Sequence, residues 1–186
     1  MSPETSRDPM VAHLLAELDR LPVRTGVVVA GMPESKFREI PPDGGWSVAQ
    51  VFEHLCLVNE RYLSGPLPEA ATRARTAGTP RRPWRASLFG GWLTRAMREG
   101  GRAVSAPRSM QAGPVVRERV VEDFLASVTR LRALIVECEG SDLRTSLPSP
   151  ILPIVRMNLG DGFLLMVTHA HRHLGQAERT RRAVGM

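Results

Sequence analysis

Two histidines near the end of the chain have the spacing of metal ligands. His169 and His173 are four residues apart, and in an α-helix this spacing places both imidazoles on one face, where their nitrogens can bind one ion. His171 lies roughly 200° around the same helix from His169 and is expected to face away. The pair alone is a weak signal, because exposed or hydrogen-bonded histidines often share this spacing.

A third histidine lies on another predicted helix. His54 falls between Val51 and Val58 on an apolar stripe with three- and four-residue steps, so its side chain is expected to point into the core. Three imidazoles can hold a divalent ion and leave other coordination positions open to water or substrate, as a catalytic site requires. A satisfied core histidine is the alternative for His54. Nitrogen ligands suit several first-row ions, so zinc, nickel and manganese are all candidates.

Four amphipathic segments are expected to position these histidines. The first helix begins after Asp8 as its N-cap and is expected to be interrupted at Pro22. The second has the strongest start signal, a capping box formed by Ser47 and Gln50, and the last is expected to begin at Asp161 as its cap. The predicted helices span about residues 9–30, 48–63, 117–138 and 161–184. No segment alternates like a strand, so the sequence predicts an all-α four-helix bundle that forms a single domain over residues 1–186.

The basic character of the protein is confined to one segment, residues 70–110. The formal net charge of +6 would by itself suit a nucleic-acid partner. The segment, however, holds nine arginines and one acid, whereas the remainder of the chain has 16 basic and 18 acidic side chains. Because the bundle is close to neutral, nucleic-acid binding is disfavoured. A noncatalytic bundle that binds an anionic partner through this arginine-rich segment is an alternative hypothesis.

The same segment is expected to be a long irregular, partly helical connection between the second and third helices. Glycines and prolines punctuate it, and residues 88–97 are predicted to form a short helix. Trp84, Phe89 and Trp92 are available to anchor the connection to the bundle.

The two cysteines, Cys56 and Cys138, lie on or beside apolar helix stripes and are expected to be buried packing thiols rather than nucleophiles. They provide neither a disulfide framework nor a zinc-ribbon pattern, which favours a reducing compartment. No stretch is apolar over a membrane-spanning length, and the first ten residues lack the basic and then apolar pattern of a signal peptide. The sequence therefore predicts a cytoplasmic protein with no membrane partner.

Two motifs together resemble a known family. The segment Gly45–Leu55, GWSVAQVFEHL, and the segment Thr168–Gln176, THAHRHLGQ, are similar to those of the DinB/YfiT-like superfamily of metal-binding four-helix bundles. The resemblance extends from about residue 8 to residue 184 and implies that His54, His169 and His173 are the metal ligands. Many members also have a His-Pro pair shortly before the last helix, where this chain has Ser149-Pro150.

The resemblance also implies a reaction. Family members include metal-dependent transferases that attach bacillithiol, mycothiol or a related small thiol to an electrophile, so a small-molecule thiol and an electrophilic substrate are the expected partners. Gln176 is expected to orient a ligand or contact substrate, with a plain hydrogen bond between helices as its alternative. A metal-dependent hydrolase is the second choice, because residues 170–172 lack the glutamate of a His-Glu-x-x-His zinc protease and Glu53 is expected to face elsewhere. A structural role, with a homodimer as the assembly, is a third alternative.

Overall fold

The computed structural model describes residues 8–77, 83–98, 107–149 and 156–186, and these ranges are mostly helical. A 3₁₀ turn lies at Arg108–Met110. The helices are α1 (Pro9–Val29), α2 (Glu34–Phe37), α3 (Val48–Leu63), α4 (Pro66–Thr76), α5 (Leu88–Ala96), α6 (Val120–Glu137) and α7 (Leu159–Ala183), and the strands are β1 (Ser146–Pro148) and β2 (Arg156–Asn158).

The long helices α1, α3, α6 and α7 form a four-helix bundle, as predicted. α1 and α3 each pack against both α6 and α7, so α1 lies diagonally across the bundle from α3. The core between them consists of apolar side chains at helical spacing, among them Leu14, Phe52, Phe124 and Phe163, all with no exposed surface. Because α3 and α7 are neighbours, the predicted ligands on these two helices can meet.

The predicted interruption at Pro22 is wrong, since α1 is one helix from Pro9 to Val29. The predicted N-cap is present: the Asp8 side chain accepts a hydrogen bond from the Met10 amide at 2.9 Å. Pro22 is exposed, and the flanking turns bury Leu18, Leu21 and Val28 in the core. Packing of this apolar face holds the helix together across a residue that removes one backbone hydrogen bond.

The start of α7 also differs from the prediction. The N-cap is Asn158 rather than Asp161, and the two residues form a reciprocal capping box in which Asp161 occupies the third helical position. The Asn158 side chain accepts from the Asp161 amide at 2.8 Å, and the Asp161 carboxylate accepts from the Asn158 amide at 3.1 Å. The helix therefore begins three residues, nearly one turn, earlier than predicted.

The expectation of no strands is likewise wrong. β1 and β2 pair antiparallel, with Leu147 opposite Met157. Each strand has only three residues, which is too short to produce a visible alternation of polar and apolar residues.

The connection between α3 and α6 is partly helical, as predicted, but the prediction misses α4 at its start. The expected short helix is present as α5, whose N-cap Ser87 accepts from the Gly90 amide at 3.0 Å. Trp84 and Phe89 pack against the core as expected, whereas Trp92 is 58% exposed and contacts Phe89 with ring centroids 5.8 Å apart. Residues 78–82 and 99–106, which include Arg81, Arg82 and Arg102, lie outside the described residues.

A clamp joins α5 to the first turn of α7. The Ser87 amide donates to both carboxylate oxygens of Asp161 at 3.2 and 3.1 Å. The Trp84 indole donates to Asn158 Oδ1 at 2.8 Å, and the side-chain nitrogen of Asn158, Nδ2, donates to the Arg85 carbonyl oxygen at 2.8 Å. The part of the arginine-rich segment that is described is therefore built into the bundle rather than hanging free of it.

Among the described residues, no helix combines the length and the apolar character needed to cross a membrane.

Candidate metal centre

The structure brings together three histidines from two adjacent bundle helices. His54 on α3 and His169 and His173 on α7 each direct one ring nitrogen into a common space, and these nitrogens lie within 4.8 Å of one another. The ring centroids are 4.4 to 5.1 Å apart. His54 and His169 are buried, with 2% and 7% of their surface exposed, whereas His173 is intermediate. The four-residue spacing on α7 and the inward position of His54 on α3 produce this cluster.

Two of the three imidazoles are oriented by hydrogen bonds at their other nitrogen. His54 Nδ1 lies 2.5 Å from the main-chain carbonyl oxygen of Met110, and His173 Nδ1 lies 2.9 Å from Gln176 Oε1. Since both partners are acceptors, each Nδ1 carries the proton, and the lone pair is on Nε2. Partners of this kind fix the tautomer and raise the basicity of a metal-binding histidine.

His169 differs from the other two. Its Nε2 faces His54 Nε2 at 3.2 Å, while its Nδ1 is buried with no hydrogen-bond partner among the described residues. An unpaired polar atom at this depth costs free energy. The cluster thus does not satisfy itself by hydrogen bonding.

The separation of the facing nitrogens fits a divalent metal ion. Two nitrogens bound at about 2.0–2.1 Å in a tetrahedral arrangement would lie about 3.3 Å apart, and the observed distance between His54 Nε2 and His169 Nε2 is 3.2 Å. This pair of imidazoles therefore has the spacing that one ion requires, and His173 supplies a third nitrogen of the same chemistry within 4.8 Å.

All three imidazoles are held neutral. Burial lowers the pKa of His54, although its hydrogen bond to Met110 acts in the opposite direction. Burial, with the nearby His173 and His54, holds the pKa of His169 well below its usual value. Burial and the nearby His54 lower the pKa of His173 to about 3. The lone pairs that a metal ion needs are consequently available at neutral pH.

An aromatic wall borders the cluster. The Trp46 ring lies 4.8 Å from the His54 ring and 6.3 Å from the His173 ring, measured between centroids. Trp46 directly precedes Ser47, whose capping box with Gln50 begins α3. The motif that starts the helix therefore also supplies an apolar surface beside the site.

No carboxylate belongs to the cluster in the part of the chain that is described. Glu53, the sequence neighbour of His54, faces away as predicted and forms a salt bridge of 3.0 Å with Arg117. Arg117 also pairs with Glu60 at 2.5 Å. This network leaves Glu53 engaged away from the imidazoles.

The other residues considered for chemistry, His171 and the two cysteines, lie outside the histidine cluster. His171 is on the opposite side of α7, with Nε2 3.2 Å from the Glu17 carbonyl. Both cysteines are buried as predicted, and burial raises the pKa of Cys56 to about 12 and that of Cys138 to about 11, which does not suit a nucleophile. The sequence prediction misses Met110, because a main-chain acceptor leaves no trace in residue type.

Comparison with known protein families agrees with this arrangement, since residues 17–177 match the DinB superfamily. The chain belongs to the DinB superfamily. The resemblance inferred from the sequence motifs is therefore confirmed. A comparison of this DinB-superfamily protein with curated sequences finds no match.

Among solved structures, the protein is similar to YfiT from Bacillus subtilis, which is described as "a probable metal-dependent hydrolase with an unusual four-helix bundle topology". The TM-score is 0.60 and the sequence identity 20%, with 100% of this chain and 94% of YfiT covered. At this identity, the likeness establishes the shared fold of the two DinB-type bundles.

Proposed function

We propose that this protein is a metal-dependent enzyme that transfers a low-molecular-weight thiol to an electrophile. His54, His169 and His173 would hold the divalent ion. The observation that carries the proposal is the convergence of three neutral imidazoles within 4.8 Å, two of them oriented through their other nitrogen. The proposed ions are zinc, nickel and manganese, which such nitrogen ligands accept.

The ion would supply one kind of chemistry: it lowers the pKa of a bound thiol or water so that a nucleophile forms near neutral pH. The protein's own residues would hold the ion and orient the imidazoles that bind it. The Met110 carbonyl keeps the proton of His54 on Nδ1, and Gln176 does the same for His173. Gln176 is therefore proposed as a positioning residue, and Trp46 as the wall that limits water beside the imidazoles.

The lack of a free carboxylate in the cluster favours thiol transfer over hydrolysis. Hydrolysis by a metal site of the His-Glu-x-x-His type uses an adjacent glutamate as the general base. Here Glu53 is paired with Arg117, and the described part of the cluster contains imidazoles alone. A thiol is more acidic than water and needs no such base when its sulfur is the attacking atom.

A metal-dependent hydrolase is the second candidate, and the observation that favours it is the description of YfiT, which shares the fold. The two candidates differ in one requirement. Transfer consumes a thiol along with the electrophile, whereas hydrolysis consumes only water and an ester, amide or similar substrate.

The test is metal analysis followed by two activity assays. Protein supplied with zinc, nickel or manganese is expected to retain about one ion per chain, and His169→Gln to retain none while remaining folded. His171→Gln is the matched control, because His171 lies on the same helix but outside the cluster. Wild-type protein that retains no ion from any of the three supplies would overturn the proposal.

The first assay measures conjugation of the electrophile monochlorobimane to each of three thiols: bacillithiol, mycothiol and cysteine. The second measures hydrolysis of a nitrophenyl ester in the absence of thiol. Thiol-dependent conjugation that disappears in His169→Gln supports transfer. Ester hydrolysis that depends on the ion and ignores thiol would instead support the hydrolase.

The expected location and assembly belong to the same proposal. Small thiols are kept reduced in the cytoplasm, and the two buried free cysteines suit that compartment. We further propose a homodimer, which size-exclusion chromatography with light scattering would test.

A further inference from the structure

A cleft with a volume of about 570 Å³ lies between α1, α5 and α7. Leu164, Val167, Thr168 and His171 of α7 form one wall. Leu164 is three and four residues before Val167 and Thr168, and His171 is four and three residues after them, so all four occupy one face of the helix. His169 and His173 are about half a turn away from that face, so the cleft is separate from the metal centre and lies on the other side of α7.

An unpaired buried hydroxyl lines this cleft. Thr94 on α5 is 5% exposed, and its Oγ1 has no hydrogen-bond partner in the described part of the chain. A buried threonine in a helix ordinarily bonds to a carbonyl of the preceding turn. A ligand oxygen that reached Thr94 would recover the free energy that the lone hydroxyl costs.

Among the described residues, three arginines line the cleft, and two of them are already engaged. Arg20 pairs with Glu17 at 2.6 Å, and Arg24 pairs with Glu178 at 2.6 Å. The Glu17 carboxylate also lines the cleft, but Arg20 offsets its charge.

The third arginine, Arg98, follows α5 and has no hydrogen-bond or ion-pair partner for its side chain within the described ranges. Arg172 of α7 donates to the carbonyl oxygens of Ala96 and Arg98 at 3.2 and 2.8 Å. These bonds fix the main chain that carries Arg98 at the rim of the cleft, with its guanidinium available to a ligand.

We propose that this cleft binds a small organic anion, a carboxylate or phosphate on a short aliphatic body. Arg98 pairs with the anionic oxygens, for which a guanidinium is suited. Thr94 donates a hydrogen bond to the ligand, and Leu164 and Val167 contact its apolar part. The volume lies within the range of ordinary small-molecule sites. This site is independent of the proposed thiol transfer.

The experiment measures binding of hexanoate, hexyl phosphate and inorganic phosphate to the full-length protein by calorimetry and NMR titration, with hexylammonium as the probe of opposite charge. At least one of the two hexyl anions is expected to bind in the millimolar range or tighter, and hexylammonium is not. If inorganic phosphate binds as tightly as hexyl phosphate, the apolar contacts with Leu164 and Val167 contribute nothing to binding, which would contradict that part of the proposal. No saturable binding of any anion would overturn the proposal.

Matched variants locate the site. Arg98→Gln is expected to weaken binding about tenfold or more, whereas Arg95→Gln, three residues earlier in the last turn of α5 and outside the cleft, should leave it unchanged. Equal losses in the two variants would show only general attraction to basic surface and contradict the proposal. His169→Gln should bind the anion as wild type does, and a loss there would place the anion at the metal centre instead.

Thr94→Val provides an independent readout. Because valine keeps the shape and removes the unpaired hydroxyl, the free protein is expected to melt at a higher temperature while anion affinity falls about three- to tenfold. A hydroxyl with only a structural role would not change affinity, and unchanged affinity would remove Thr94 from the site.

Discussion

Two neighbouring glycines in α5 allow the clamp between α5 and α7 to be tested with a matched pair of substitutions. A methyl group at Gly90 would overlap the Asp161 carboxyl, whereas one at Gly91 would meet only the Ala86 methyl at 3.4 Å. Both glycines lie in the first turn of the same helix, as its third and fourth residues, so alanine gains a similar amount of helix propensity, up to about 0.5–1 kcal/mol, at either position. The difference between the two variants therefore reports the overlap with Asp161.

The magnitude follows from the hydrogen bonds that Asp161 would lose. Displacing its carboxylate breaks the contacts with the Ser87 amide at 3.2 and 3.1 Å. A hydrogen bond to a charged group contributes about 1.5–3 kcal/mol, so Gly90→Ala should be about 2–3 kcal/mol less stable than Gly91→Ala. For a chain of this size, that difference corresponds to about 4–12 °C in melting temperature.

The assay is thermal and urea unfolding followed by circular dichroism, with both variants measured beside the wild type. Gly91→Ala is expected to be as stable as the wild type or slightly more so. Equal stability of the two alanine variants would refute the reasoning, because it would mean that the carboxyl of Asp161 can move aside without cost.

Two other predictions concern the metal centre. Gln176→Leu removes the acceptor for His173 Nδ1 and should weaken zinc binding about 10- to 100-fold in a chelator competition. Gln176→Glu keeps an acceptor oxygen and should restore the affinity for zinc. Equal zinc affinity of the wild type and both variants would show that Gln176 has no positioning role. Metal-free protein should lose stability as the pH falls from 7.5 to 5.5, because the unfolded chain takes up protons at histidine pKa values near 6.5 while the pKa of folded His173 is about 3. In urea unfolding, the free energy of unfolding should fall by up to about 1.4 kcal/mol per pH unit for each such histidine. This dependence on pH should be weaker in His173→Gln. A urea midpoint that does not change with pH would contradict the prediction.

The convergence of the three histidines could be predicted from sequence because its signals are local. The four-residue spacing of His169 and His173 fixes their common face, and the apolar stripe around His54 indicates that this residue points inward. That α3 and α7 are neighbours is a property of the bundle, and here the family resemblance supplied what periodicity could not.

The errors have specific physical causes. The sequence predicts Asp161 as the N-cap instead of Asn158 because Gly160 and Gly162 interrupt the apolar pattern at the start of α7. Glycine is needed at these two positions because Trp84 packs closely against Gly160 and Leu147 against Gly162. α4 was missed although Pro66 at its first turn is a start signal, because the arginines that follow resemble a loop. The short strands contain too few residues to show a period.

The hydrogen bond between His54 and Met110 links the histidine cluster to the connection between α3 and α6 through a main-chain oxygen. Any amino acid at position 110 presents a carbonyl, so the tautomer of His54 depends on where the main chain lies and not on the methionine side chain, which is buried in the core. Insertions or deletions in the connection are different, because they would move the carbonyl itself. The length of this segment therefore bears on the geometry of His54 directly, because it sets where the Met110 carbonyl lies.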